Sequence, residues 1–223
     1  MTDTIDRPSS HPAIAGRDDE LRHLADAVRR LALLTVTNTA PADETATLAG
    51  ELDRIAERLT AFVPEERFSR FAPSDGAERG PIDASPYDIV HGPYNPLALP
   101  VEMSLDPPRA VGRARFNTLY EGPPGCVHGA VLASVFDMVF SAANHAAGVP
   151  GPTVRLAVDY RHPTRIEHEA VFEGWVASRE GRKVHTAGRV TQHGVVTVEA
   201  VGTFVMLPRD DVMRLGERRD SDW

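Results

Sequence analysis

Apolar residues recur along this chain with two periods, and the change from one to the other divides it. From Asp18 the spacing is helical. Leu21, Leu24, Val28 and Leu31 fall on one stripe, and Asp26 and Arg30 stand where an i,i+4 pair forms. Thr37–Ala40 interrupts the pattern, and Pro41 fits the first position of a second helix, where its missing N–H costs nothing. Leu48, Leu52, Ile55, Leu59 and Phe62 then repeat at intervals of 4, 3, 4 and 3, the spacing of a packing seam. Residues 17–63 therefore predict a helical hairpin, either a structural brace or a docking module. Residues 1–16 carry no periodicity and read as a flexible tail. Residues 64–100, with Pro81, Pro86, Pro93, Pro96 and Pro100, exclude long helices and predict an extended connector.

The stretch Gly122–Gly148 is different again. A Pro/Gly-rich loop opens it, and an apolar run without a breaker follows. Val131, Leu132, Val135, Phe136, Met138, Val139 and Phe140 lie on every side of a helix, which predicts burial nearly all round. Gly148, then Pro150 and Pro152, end it. Period two governs most of the rest. Strands are expected at Val101–Leu105, Arg109–Leu119 and Val154–Tyr160, and then at about His168–Ser178, Lys183–Gln192 and Val195–Leu207. Glu180-Gly181 and His193-Gly194 supply turns. One long helix followed by consecutive hairpins predicts an α+β domain over 101–208, an antiparallel sheet wrapped around a central helix. Residues 209–223 read as a charged tail.

Polar groups inside that helix are the candidate chemistry. Ser134, Asp137, Ser141 and Asn144 are spaced 3, 4 and 3 apart, on one stripe. A carboxylate in apolar surroundings is costly unless bonded or used, and such surroundings strengthen a carboxylate as a base. Asp137 is thus a candidate general base or nucleophile, against a purely structural carboxylate. At the helix start, Gly129 lets a ligand approach a backbone N–H at the positive end of the dipole, or serves only a tight turn. His128, beside it, either orients a ligand carbonyl or holds the turn.

Charge and composition narrow the function. A net charge of −8 argues against nucleic-acid binding. No uninterrupted apolar run is long enough to span a membrane, and no leader pattern opens the chain, so a cytoplasmic protein is expected. The lone Cys126 makes no disulfide or metal cluster, and the histidines show no zincin spacing, so no metal and no cofactor is expected. Phosphate-loop, dinucleotide and Gly-x-Ser-x-Gly motifs are all lacking.

The run YEGPPGCVHGAVLASVFD resembles the central motif of hotdog-fold acyl-CoA thioesterases, in the branch of phenylacetate-pathway and human-type thioesterase superfamily enzymes. That family carries a His-Gly-Gly turn and an acidic residue nine after the His. Here the turn is His128-Gly129-Ala130, and Asp137 stands at the ninth position. The likeness continues through Thr153, Asp159-Tyr160-Arg161-His162-Pro163 and Gly181-Arg182-Lys183, so it covers roughly residues 95–207. It implies a hotdog fold preceded by the helical hairpin, and hydrolysis of an acyl-CoA to free acid and CoA in a homodimer or dimer of dimers. By the same resemblance Asp137 is the base or nucleophile and the Gly129 N–H polarises the carbonyl. Thr153 helps place the water, usually from the partner subunit, while Arg182 and Lys183 lie near the CoA nucleotide. Ala130, a departure from the second Gly, adds a methyl at the substrate. The rival readings are a non-catalytic acyl-CoA binder and a hotdog hydratase or dehydratase.

Overall fold

The computed structural model describes residues 11, 13–66, 85–208, 211, 212 and 214. Beyond residue 100 it contains six strands: β1 (Val101–Asp106), β2 (Arg109–Arg115), β3 (Thr153–Tyr160), β4 (Glu169–Glu180), β5 (Lys183–Gln192) and β6 (Val195–Val205). They form one sheet in the order β1-β2-β4-β5-β6-β3, and every neighbouring pair is antiparallel. A long helix, Gly129–Ala146, packs across one face. Among the described residues two helices precede the sheet, α1 (Asp18–Thr37) and α2 (Ala42–Thr60), and the long helix is numbered α3. This is the expected α+β hotdog plan with helices at its N-terminal side.

Strand limits follow the sequence pattern closely, and the exceptions have local causes. β2 ends at Arg115, four residues before the expected limit. The Asn117 side chain accepts the Leu119 N–H at 3.0 Å and folds Thr118–Tyr120 into a 3-10 turn. The β4–β5 loop is Gly181-Arg182, one residue later than expected, because Glu180 and Lys183 still pair across the ladder. His193 and Gly194 both adopt positive φ, 51° and 78°, as a two-residue hairpin turn demands.

The helix–sheet core is built on close approach. Val135, Phe136, Val139 and Phe140 are fully buried. Phe140 sits over Gly174 of β4, Gly188 of β5 and Gly202 of β6. A Cβ on any of these would lie within 3 Å of its ring, at 2.9, 2.5 and 2.9 Å respectively. Three adjacent strands thus give up side chains so that one aromatic can reach the sheet.

α3 is not buried all round. Its sheet-facing residues are enclosed, but Ala130 and Ser134 are exposed, and Asp137, Met138 and Ser141 are half-buried. A sheet covers only one side of a helix, so the opposite stripe stays open in a single copy. Asn144 is enclosed, accepting the Thr186 hydroxyl on β5 at 2.6 Å.

The segment before β1 is also more packed than an extended connector. Residues 85–100 form successive turns, and Val90, Tyr94 and Ala98 are buried. α1 is tied to this segment. Arg29 donates to the carbonyls of Pro93 (3.0 Å) and Asn95 (2.7 Å), and Arg22 to the Tyr94 hydroxyl (3.2 Å). Burial, together with a hydrogen bond to the Asp18 carboxylate, pushes the Tyr94 hydroxyl up to about 12. Within α1, Asp26 pairs with Arg29 rather than Arg30. Pro41 caps α2 instead of starting it. No residue of α2 is buried, and its seam residues Leu48, Leu52, Ile55 and Leu59 keep 41–48% of their surface. The two apolar stripes of the hairpin therefore do not close on each other. His11 and Ile14, inside the expected 1–16 tail, are buried. Residues 1–10 and 12 of that tail, residues 67–84 and most of the 209–223 tail lie outside the described residues.

Candidate active site at the two ends of α3

The loop before α3 is pinned by backbone bonds. Gly122 N–H donates to Cys126 O (2.9 Å), Val127 N–H to Thr164 O (2.8 Å) and His128 N–H to Tyr120 O (2.9 Å). His128 takes extended backbone angles and caps the helix, its Nδ1 accepting the Ala130 N–H at 3.0 Å. That bond requires an unprotonated Nδ1, so the neutral ring carries its proton on Nε2. The side chain thus bonds within the turn. Ala130, whose N–H is thereby occupied, presents its methyl to the exposed side. The Gly129 N–H has no acceptor among the described residues. It is an orphan donor at a helix start, aligned with the positive end of the dipole.

One neighbour of Gly129 was not singled out from the sequence as a functional residue. Tyr160, at the end of β3, donates its hydroxyl to the Gly129 carbonyl at 2.9 Å. A Cβ on residue 129 would stand 2.9 Å from that hydroxyl oxygen and 3.1 Å from the ring carbon bearing it. A side chain at 129 would therefore make the Tyr160 ring shift.

Asp137 lies at a second place. It is half-buried, and its Oδ1 accepts the Thr153 hydroxyl at 2.6 Å. Both residues of this bond belong to the same chain. The Ser134 hydroxyl turns back to Ala130 O at 2.9 Å and does not reach the carboxylate. Among the described residues Thr153 is the hydrogen-bond partner Asp137 has, which leaves Oδ2 open to water or substrate.

Arg182 and Lys183 belong to the Thr153 end of the sheet. Thr153 pairs with Phe204, and Phe204 with Val184, next to Lys183. Two strand spacings place that row about 10 Å across. Lys183 is exposed, while Arg182 donates through Nε to Met206 O at 3.3 Å.

Within one chain, then, the expected residues form two groups. His128, Gly129 and Ala130 stand with Tyr160; Asp137 stands with Thr153, on the side of Arg182 and Lys183. Asp137 is eight residues beyond Gly129, so about 12 Å further along the axis. A thioester carbonyl at the Gly129 N–H is out of reach of Asp137 of the same copy. Among the described residues no group of three or more His, Cys, Asp or Glu could hold a metal ion. No helix among them is long and apolar enough to cross a membrane.

A family model described as the thioesterase superfamily matches residues 124–199, which carry the loop, α3, β3 and most of the β4–β6 hairpins. Acyl-coenzyme A thioesterase THEM4 of Xenopus laevis is 32% identical over 89 residues, covering 39% of this chain and 40% of that protein. The chain thus matches well under half the length of that relative. Among solved structures, protein RHA08564, described as a thioesterase superfamily protein, is 32% identical. The match covers 83% of this chain and 90% of that one, with a TM-score of 0.72.

Proposed function

We propose that this chain, which belongs to the thioesterase superfamily, is an acyl-CoA thioesterase whose site is completed by a second copy. The observation that carries the reading is the half-exposed Asp137 carboxylate, held through one oxygen by Thr153 and open at the other. Asp137 Oδ2 takes a proton from water as that water adds to the thioester carbonyl. The Gly129 N–H donates to the oxygen as it gains charge, a role typically worth ~3 kcal/mol of barrier. Collapse of the tetrahedral adduct breaks the C–S bond. The CoA thiolate takes the proton from Asp137, leaving a free acid and a thiol. The 32%-identical frog relative is named as an acyl-CoA thioesterase, which supports the substrate class.

The distance along α3 supports a homodimer. β3 is an edge strand, bonded to β6 on one side only. An unpaired edge invites a second strand. Antiparallel pairing of two β3 strands about a two-fold centred near Leu156 and Ala157 sets the Thr153 end of one beside the Tyr160 end of the other. Asp137 and Thr153 of one copy then face the Gly129 turn of its partner, and an isologous dimer holds two such sites. Arg182 and Lys183 offer positive charge to the CoA phosphates.

A panel of acyl-CoAs, from acetyl to long-chain and phenylacetyl, incubated with the protein and a thiol reagent, tests the reading. Catalytic release of CoA from at least one member is expected. Tight binding with no thiol released across the panel would replace the enzyme by an acyl-CoA binder.

A further inference from the structure

The geometry points to Tyr160 as a positioning residue that, together with His128, aims the Gly129 N–H; this rests on the thioesterase reading above. The peptide between Gly129 and Ala130 is held at both ends. Its carbonyl accepts the Tyr160 hydroxyl at 2.9 Å, and its N–H donates to His128 Nδ1 at 3.0 Å. Two soft angles, φ and ψ of Gly129, separate this clamped peptide from the one that carries Gly129's own N–H, so the clamp restricts that N–H when the peptide on its other side is held too. The peptide that carries the Gly129 N–H is held as well, because its carbonyl, His128 O, accepts the N–H groups of Val131 at 3.0 Å and Leu132 at 3.3 Å. The Gly129 N–H thus has no acceptor among the described residues, while its own peptide and the next are both held.

The clamp explains why the residue at 129 is glycine. A glycine at a helix start is the position most free to wander. A methyl there would sit 2.9 Å from the Tyr160 oxygen, so alanine would stiffen the turn only by displacing the clamp. Tyr160 supplies from outside the order that a side chain at 129 would otherwise give. Its ring reaches from β3, the sheet edge, and is 53% exposed in a single copy. Tyr160 touches no reacting atom. It acts through the Gly129 carbonyl.

Tyr160→Phe keeps the ring and removes only the hydroxyl. On whichever acyl-CoA the wild type hydrolyses, kcat is expected to fall about tenfold with KM and Tm unchanged, the size of one lost hydrogen bond in the barrier. Against a Gly129→Ala background the same change should raise kcat, since it removes the atom nearest the new methyl. Amide hydrogen exchange supplies a readout that needs no turnover. The Ala130 N–H should exchange about tenfold faster in Tyr160→Phe, with helix amides beyond Leu132 unaffected. Wild-type kcat together with unchanged Ala130 exchange would overturn the clamp. Equal losses of kcat and Tm would make Tyr160 merely structural. If wild type releases no thiol, the thioesterase reading fails by itself, and the exchange result still decides whether Tyr160 orders the turn.

Discussion

In the proposed site the two ends of α3 would supply chemistry of different kinds. At Gly129 the proposed reactive group is backbone: an N–H left over by helix geometry, ordered by side chains to which the proposal gives no contact with substrate. At Asp137 it is a side chain, placed by one hydroxyl from β3. The first end cannot be deleted by substitution, only displaced, and it is sensitive to size. The second can be removed by changing one atom, and it is sensitive to charge. The sharpest test of this contrast is Asp137→Asn, which keeps the shape and an acceptor for Thr153 but not the capacity to take a proton. A loss of about two to four orders of magnitude in kcat is expected, with acyl-CoA affinity and Tm held. Normal turnover in a destabilised protein would make the carboxylate structural and dissolve the comparison.

The separation of the ends has its own test. Co-expressed Gly129→Ala and Asp137→Asn subunits, each strongly impaired alone, form hybrids in which one of two sites draws both intact groups. With random pairing about a quarter of wild-type activity returns. A mixture as inactive as its components would mean that each copy builds its site alone, against the ~12 Å between the two groups.

The sequence conveyed these ends unequally. Strand limits were legible because alternation and the turn residues at 181 and 193–194 are local signals, and the carboxylate stood out because it interrupts an apolar run. The Asp137–Thr153 bond spans sixteen positions and two elements, so spacing could not state it; only a resemblance assigned Thr153 a role, and it implied the partner's chain. Tyr160 reads as one more alternating strand residue until β3 is laid beside the helix start. The seat of Phe140 is equally hidden, since Gly174, Gly188 and Gly202 become neighbours only once three strands pair. In α1 and α2 the helical period was clear, but amphipathicity says that a stripe is apolar, not what covers it. The open seam of α2 is the result.

A smaller effect separates placement from chemistry at the Asp137 end. Thr153→Ala removes the hydroxyl at 2.6 Å and leaves the carboxylate. The loss should be about tenfold in kcat, the worth of one hydrogen bond to a charged group, and Thr153→Ser should recover most of it. A threonine kept only for strand propensity would show the reverse, with Tm falling in both variants and kcat in neither.

The weakest expected effect concerns the basic turn, where the two residues are not equivalent. Arg182 donates to Met206 O, so truncating it also loosens the chain leaving β6. Lys183 is exposed, its side chain has no hydrogen bond or ion pair among the described residues, and it is the cleaner probe. If its charge meets a CoA phosphate, Lys183→Ala raises KM for acyl-CoA a fewfold with kcat unchanged, because the phosphates are remote from the bond that breaks. The rise should shrink as salt is added, as an exposed ion contact requires. A pantetheine thioester without the nucleotide should be indifferent to the change. Equal effects on both thioesters would confine Lys183 to the hairpin, and the positive charge for CoA would have to be sought at the Gly129 end instead.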